Sequence, residues 1–316
     1  MGGCVLCRWL SIPMSSEKFS MRYSVAGQRV LLVSLLAQCG IVLTGALVRL
    51  TGSGLGCPTW PECTDGSLVP VSHQAEGWHK YIEFGNRMLT FVVTIACLAG
   101  LVVALRHKPR RSSIITLSVL VLVGVAAQAV LGGVTVLAGL HPATVAAHFL
   151  VSVFLIAAAY WAYARSQEDS DAPAIPAVRS EIRLLGRLVL GLSLVVVFLG
   201  TLVTGSGPHS GDAKQTVRLH LDPRMIAWVH ADVVILFLGL LVALALALRL
   251  TDAPPRAQRH AVALLAVSLL QGLIGYVQYF TGVPELLVAA HVAGAIVVWV
   301  STLQMYTALH TRPRTG

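Results

Sequence analysis

Apolar runs of about 20 residues recur along the chain, separated by short segments where Arg, Pro, Gly and other polar residues gather. Eight runs are readable, at roughly 29–50, 80–105, 113–136, 143–164, 184–205, 223–249, 260–280 and 285–308. Each is long enough to cross a hydrocarbon core of about 30 Å as a helix. Inside a bilayer no water satisfies the backbone, so helices are the spanning element such runs can form. The expected fold is an all-α polytopic membrane protein.

The pattern also repeats. Gln128 to His148 reads QAVLGGVTVLAGLHPATVAAH and Gln271 to His291 reads QGLIGYVQYFTGVPELLVAAH, at an offset of 143 without a gap. A shorter echo places Thr51-Gly-Ser-Gly54 after one apolar run and Thr204-Gly-Ser-Gly207 after another. Such duplication in a membrane chain points to two similar helical bundles related by a pseudo-two-fold axis. The expected division is a leading segment 1–28, a four-helix bundle over 29–165, a linker over 166–183 and a second four-helix bundle over 184–310. The stretch 166–180, SQEDSDAPAIPAVRS, is polar and Pro-containing and reads as the one mobile internal segment.

Composition agrees: 56% of residues are hydrophobic, 12% are charged and the mean hydropathy is +0.76. The net charge of +9 would suit nucleic acid, but its distribution argues against that. With eight spans and both ends on one side, seventeen of the 23 Lys and Arg fall on the side of the termini. The other six are Arg49, Lys80, Arg87, Lys214, Arg218 and Arg224. The positive-inside rule then puts both termini in the cytoplasm of a cell-membrane protein, and the basic excess is topology rather than a polyanion site. Arg8 precedes only a few apolar residues, so no cleaved signal peptide is expected, and Met14 and Met21 are alternative starts.

Of six cysteines, Cys39 and Cys97 lie inside apolar runs and read as core residues, while Cys4 and Cys7 form a CxxC in the leading segment. Cys57 and Cys63 share the loop GCPTWPEC on the outer side, where disulfides persist. Compartment and spacing favour a bond over two free thiols, and an exposed bond there could be structural or redox-active.

Among eleven histidines, His107, His260 and His310 sit beside arginines at cytoplasmic helix ends, and His73, His141, His209 and His220 fall in or near outer loops. His79, His148, His230 and His291 remain at membrane depth, where polar groups are costly and usually functional. His230 precedes His291 by 61 residues, which is two helices and a loop. The pair could meet in the second bundle and give a haem two imidazole ligands with no open position, an arrangement suited to electron transfer. Counting back 62 from His148 reaches Asn86 instead. The helix reading His79-Lys-Tyr-Ile-Glu83-Phe-Gly-Asn86-Arg87 crowds Glu83, Asn86 and Arg87 on one face, with His79 a turn earlier. Two readings stand for Glu83. It forms an interfacial ion pair with Arg87 that anchors the helix, or it faces a bound molecule as proton donor or acceptor with Arg87 beside it.

At these residues the chain resembles the haem A synthase family, membrane enzymes that convert haem O to haem A for cytochrome oxidase. The resemblance rests on GALVRLTGSGLGCPTWPEC (45–63), IEFGNRM (82–88), AAHF around His148, WVHAD (228–232) and AAHVAG (289–294), and covers about 28 to 308. It implies haem B between His230 and His291 in the second bundle and the haem O substrate in the first, with His148 as its iron ligand and Glu83 as the essential glutamate. Cys57 and Cys63 match the cysteine pair of the first outer loop, whose spacing the family varies. The chain departs from the family pattern Glu-x-x-His-Arg, carrying Asn86 where many members have histidine, as in an actinobacterial-like variant. His148 alone, or His148 with His79, would then hold the substrate. The resemblance implies oxidation of the porphyrin C8 methyl to a formyl group by successive hydroxylations, with oxygen from water. Electrons would leave through the second-half haem to an acceptor. Haem O synthase is an implied partner, the haem's farnesyl tail would enter between helices from membrane lipid, and no nucleic acid is involved.

Two other classes fit part of the pattern. A non-catalytic bis-histidine b-type cytochrome explains His230 and His291 but gives Glu83 and the outer cysteines no task. A transporter fits the duplicated bundles, although four helices per half make the repeats parallel rather than inverted.

Overall fold

The computed structural model of the chain describes residues 22–212 and 217–312. Among them run eight helices: α1 (Val25–Leu50), α2 (His79–Arg106), α3 (Ser112–Leu137), α4 (Pro142–Ser166), α5 (Ser180–Ser206), α6 (Pro223–Leu250), α7 (Pro255–Phe280) and α8 (Glu285–Ala308). All eight are long and apolar enough to cross a membrane, so this is an all-α, multi-pass membrane protein. The apolar runs lie inside these helices, which overrun them mainly at arginine-bearing ends such as Ser180–Arg183 and Pro255–Arg259. Hydropathy marks only what must be dehydrated, whereas a helix continues for as long as its polar face can be solvated. Cys4, Cys7, Met14, Met21, Lys214 and Arg314 lie outside the described residues.

Local chemistry sets the helix starts. The Ser24 hydroxyl accepts from Gly27 N–H at 3.2 Å, and the Asp222 carboxylate accepts from Met225 N–H at 2.7 Å. Pro142, Pro223 and Pro255 each occupy a first turn, where a missing N–H costs nothing. The ends repeat the duplication in the backbone itself. After α3, Gly139 and Leu140 both take positive φ (60° and 57°), and after α7 so do Gly282 and Val283 (80° and 61°). Leu140 N–H then donates back to Thr135 O at 2.9 Å, and Val283 N–H to Gln278 O at 2.8 Å.

Helices α1–α4 pack on one another around Val121, Val125, Ile156 and Tyr160, and α5–α8 around Val189, Leu241, Leu244 and Leu264. The sets meet where α1 and α4 touch α8 and α4 touches α5. There Trp299 Nε1 donates to Val153 O at 2.9 Å. At the end bearing the 51–78 loop, Gly54 N–H donates to Gly211 O at 2.7 Å and Ser53 pairs with Asp212, so loops of the two halves are stitched together.

At the opposite, arginine-rich end, the structure corrects the expectation of a mobile linker. Ile175–Pro176 (β1) pairs antiparallel with His310–Thr311 (β2), and Ala177 N–H donates to Leu309 O at 3.0 Å. Arg111, wholly buried, donates to the carbonyls of Arg165 (2.7 Å), Glu168 (2.9 Å) and Ser170 (2.8 Å). Arg312 lies 2.9 Å from the Glu168 carboxylate. Proline forbids helix here, but five guanidinium donors per Arg can satisfy the carbonyls that a linker would otherwise leave to water. Two carboxylates of this cluster respond oppositely. Burial raises the Glu168 pKa against the pull of Arg312 and Arg111. For Asp171, burial is outweighed by Ser113 and Arg111, which hold it below its ordinary value.

Candidate functional site

The helices enclose a cavity of about 1190 Å³ that reaches into both halves. Small-molecule pockets commonly measure about 300–1,000 Å³. Its walls are mostly aliphatic and aromatic, and His148, His230, His291, Glu83, Asn86 and Arg87 all reach it. His79 does not line it. Its Nδ1 lies 2.9 Å from Ser53 Oγ and its ring stacks on Trp78, so it anchors the loop instead.

Each of the three cavity histidines stands against a glycine of the preceding helix. A methyl group added at Gly132 would lie 3.3 Å from His148 Cε1; at Gly275, 2.8 Å from His291 Cε1; at Gly200, 3.5 Å from His230 Cε1. Glycine is needed at Gly275, a methyl at Gly132 would be tight, and at Gly200 it would make ordinary contact with the ring. Glutamine fixes two of these helices: Gln128 Nε2 donates to His148 O at 2.8 Å and Gln271 Nε2 to His291 O at 2.7 Å. The Nδ1 atoms of His148, His230 and His291 are buried without a hydrogen-bond partner, although His230 approaches the Val196 carbonyl. His230 and His291 lie within electrostatic reach of one another.

These features fit haem. The rings are partly buried in an apolar chamber, and the Nδ1 atoms of His148 and His291 have no protein partner, so the imidazoles are available to a ligand. Among the described residues no three His, Cys, Asp or Glu converge to hold a metal ion.

Glu83 is ion-paired with Arg87 and also stands in the cavity wall. Its side chain is 7% exposed and lines the cavity, and it is also paired. Oε1 accepts from Arg87 Nη2 at 2.7 Å and Nε at 3.2 Å, and Oε2 accepts from Cys57 N–H at 2.6 Å. Arg87 spends its remaining donors on the loop, reaching Cys57 O (2.8 Å), Thr59 O (3.0 Å) and Glu62 O (3.0 Å). Cys57 and Cys63 are joined in a disulfide that closes this same segment. Lys80 Nζ donates to Val71 O and Ser72 O, Gln74 Nε2 donates to Gly56 O at 2.6 Å, and the Trp60 ring covers Gly133. The loop is thus a cap over the first-half end of the cavity, held by the ion pair at its centre.

Several site residues escaped sequence reasoning. Arg49 lines the cavity and bridges the halves, with Nε donating to His209 O at 2.7 Å and Nη2 to Thr204 O at 2.9 Å. Nothing in its local sequence marks it beyond a lone charge near a span end. Gln128, Gly132, Gln271 and Gly275 did carry a signal, since they are identical positions of the 143-residue repeat.

Comparison with known proteins adds the family. A model of the COX15-CtaA family, described as cytochrome oxidase assembly protein, matches residues 28–303. Among similar proteins, one named Heme A synthase from Lysinibacillus sphaericus is 39% identical over 119 residues, 37% of this chain and 38% of that protein. Those of the same name from Geobacillus kaustophilus and Geobacillus thermodenitrificans are 34% and 32% identical over 113 and 146 residues. These matches cover 35% and 43% of this chain, and 34% and 43% of the two proteins. The chain therefore spans well under half the length of these relatives at that similarity. The family match covers most of the chain and includes the capped loop and all three cavity histidines, so the chain belongs to the COX15-CtaA family of cytochrome oxidase assembly proteins.

Proposed function

We propose that this protein is a haem A synthase of the cell membrane, with both termini cytoplasmic, oxidising the C8 methyl of haem O to a formyl group by successive hydroxylations. The observation that carries this reading is one chamber holding a histidine pair in one half and a histidine with a buried, capped Glu83–Arg87 pair in the other. The name of the similar proteins points the same way. A non-catalytic cytochrome would have no use for the second arrangement.

His230 and His291 would hold a haem B, which when bound supplies a redox centre without an open iron position. His148 would ligate the iron of the haem O substrate, with Asn86 and Arg87 on its other side. Conversion of a methyl to a formyl group with oxygen from water releases four electrons and four protons, so a base and an electron acceptor are both required. Glu83 lies in the cavity wall and is the base we assign; Arg87 holds it in place and balances its charge. Cavity-lining Phe91 and Val123 are exposed, 63% and 61%, which supports a lipid-side approach for the substrate between α2 and α3.

The test is production. Expressed in cells that make haem O but no haem A, the protein should yield extractable haem A, identified by chromatography with mass detection. Glu83→Gln should lower it by about 10²–10⁴. Haem A from the Gln variant at the wild-type level would remove Glu83 from the reaction, and no haem A from the wild type would remove the synthase reading.

A further inference from the structure

The two halves can be set in register helix by helix. Helix α2 matches α6 from end to end at an offset of 144, His79 with Pro223 and Arg106 with Leu250, which brings Asn86 to the position of His230. In α1 and α5, Gly45-Ala-Leu-Val48 matches Gly200-Thr-Leu-Val203. Gly200 is the residue against which the His230 ring stands. Gly45 is therefore the counterpart seat in the first half, and it faces the cavity with Asn86.

That seat has no ring in it. A methyl group at Gly45 would meet nothing within 4 Å, whereas at Gly132, Gly200 and Gly275 it would meet an imidazole. Asparagine is two heavy atoms shorter than histidine, and the hollow shaped for the difference persists. Asn86 Oδ1 is buried and unpartnered, an acceptor with no donor supplied by the protein. An unmet acceptor with open space at Gly45 in the same cavity wall suits a small donor from solution.

We propose that Gly45 and Asn86 form an open seat for a small, uncharged nitrogen donor of imidazole size, which binds as the second axial ligand of the first-half haem, its N–H donating to Asn86 Oδ1. The inference rests on the reading that His148 holds a haem. It makes the halves respond differently to the same reagent: the second half, with both seats filled by His230 and His291, has no place for an added ligand.

The experiment uses the full-length protein loaded with haem B as probe in both halves, read by absorption and electron paramagnetic resonance. The wild type should show one low-spin and one high-spin haem, and added imidazole should convert only the high-spin one. Asn86→His should be low-spin in both halves and indifferent to imidazole. Gly45→Leu should still take up the second haem but bind imidazole about tenfold more weakly or worse, because the seat is filled. Two low-spin haems in the untreated wild type would overturn the open seat while leaving a haem on His148. Unchanged imidazole affinity in Gly45→Leu would overturn the seat's location. A single haem per protein under saturating load would remove the first-half haem itself, and this inference with it.

Discussion

Glu83 and Arg87 show how one residue pair can serve structure and chemistry together. Arg87 makes five hydrogen bonds, two to Glu83 and three to carbonyls of the disulfide loop, a planar fork that an ammonium group cannot reproduce. Arg87→Lys should therefore loosen the loop even though charge is conserved, raising protease cleavage within 56–74; an unchanged digestion pattern would show that the fork is dispensable. Glu83→Gln keeps the shape but loses the charge, and should lower haem A formation by about 10²–10⁴ while the second-half haem spectrum stays intact. His291→Ala should do the reverse and remove the low-spin haem B signal. Retention of that signal would displace His291 as a ligand. At this scale the presence of His148, His230 and His291 in one cavity wall was legible from depth and repetition, and the pairing of Glu83 with Arg87 from helical spacing, whereas depth alone misplaced His79. Arg49 was not, because its role is to reach carbonyls more than 150 residues away, which no local pattern encodes.

Among the elements, all eight spans were legible, with ends within five residues, because dehydration in a bilayer imposes length and composition on them directly. The segments between spans were not. The 166–180 stretch has every compositional mark of a flexible linker, yet Arg111, Arg312 and the β1–β2 pairing fix it. Its order comes from donors distant in sequence, so composition could not reveal it. Arg111→Met, close in volume but without donors, should cost about 3 kcal/mol by leaving buried carbonyls unpaired. It would be measured as a lower unfolding temperature in detergent and faster cleavage in the linker. A wild-type melting curve would mean that the linker holds through β1–β2 alone.

As a whole molecule, the protein is a duplicated frame with unequal equipment. The same glycine-against-imidazole device occurs on both sides, at Gly132 and Gly275, and the same two-residue left-handed turn follows α3 and α7. The halves differ in the capped loop, in Glu83–Arg87 and in the unfilled seat at Gly45. Sequence repetition exposed the frame. The single shared cavity was not legible, since it arises from how α1, α4, α5 and α8 meet. On the proposed function this chamber serves two different haems, one resident and one converted. The most direct measurement is the pigment content of the protein purified from cells supplying haem O, extracted and separated by chromatography with mass detection. The account predicts haem B together with haem O or haem A in the same preparation, with His291→Ala losing only the haem B. Haem B alone despite a haem O supply would contradict it and leave an electron-carrying cytochrome.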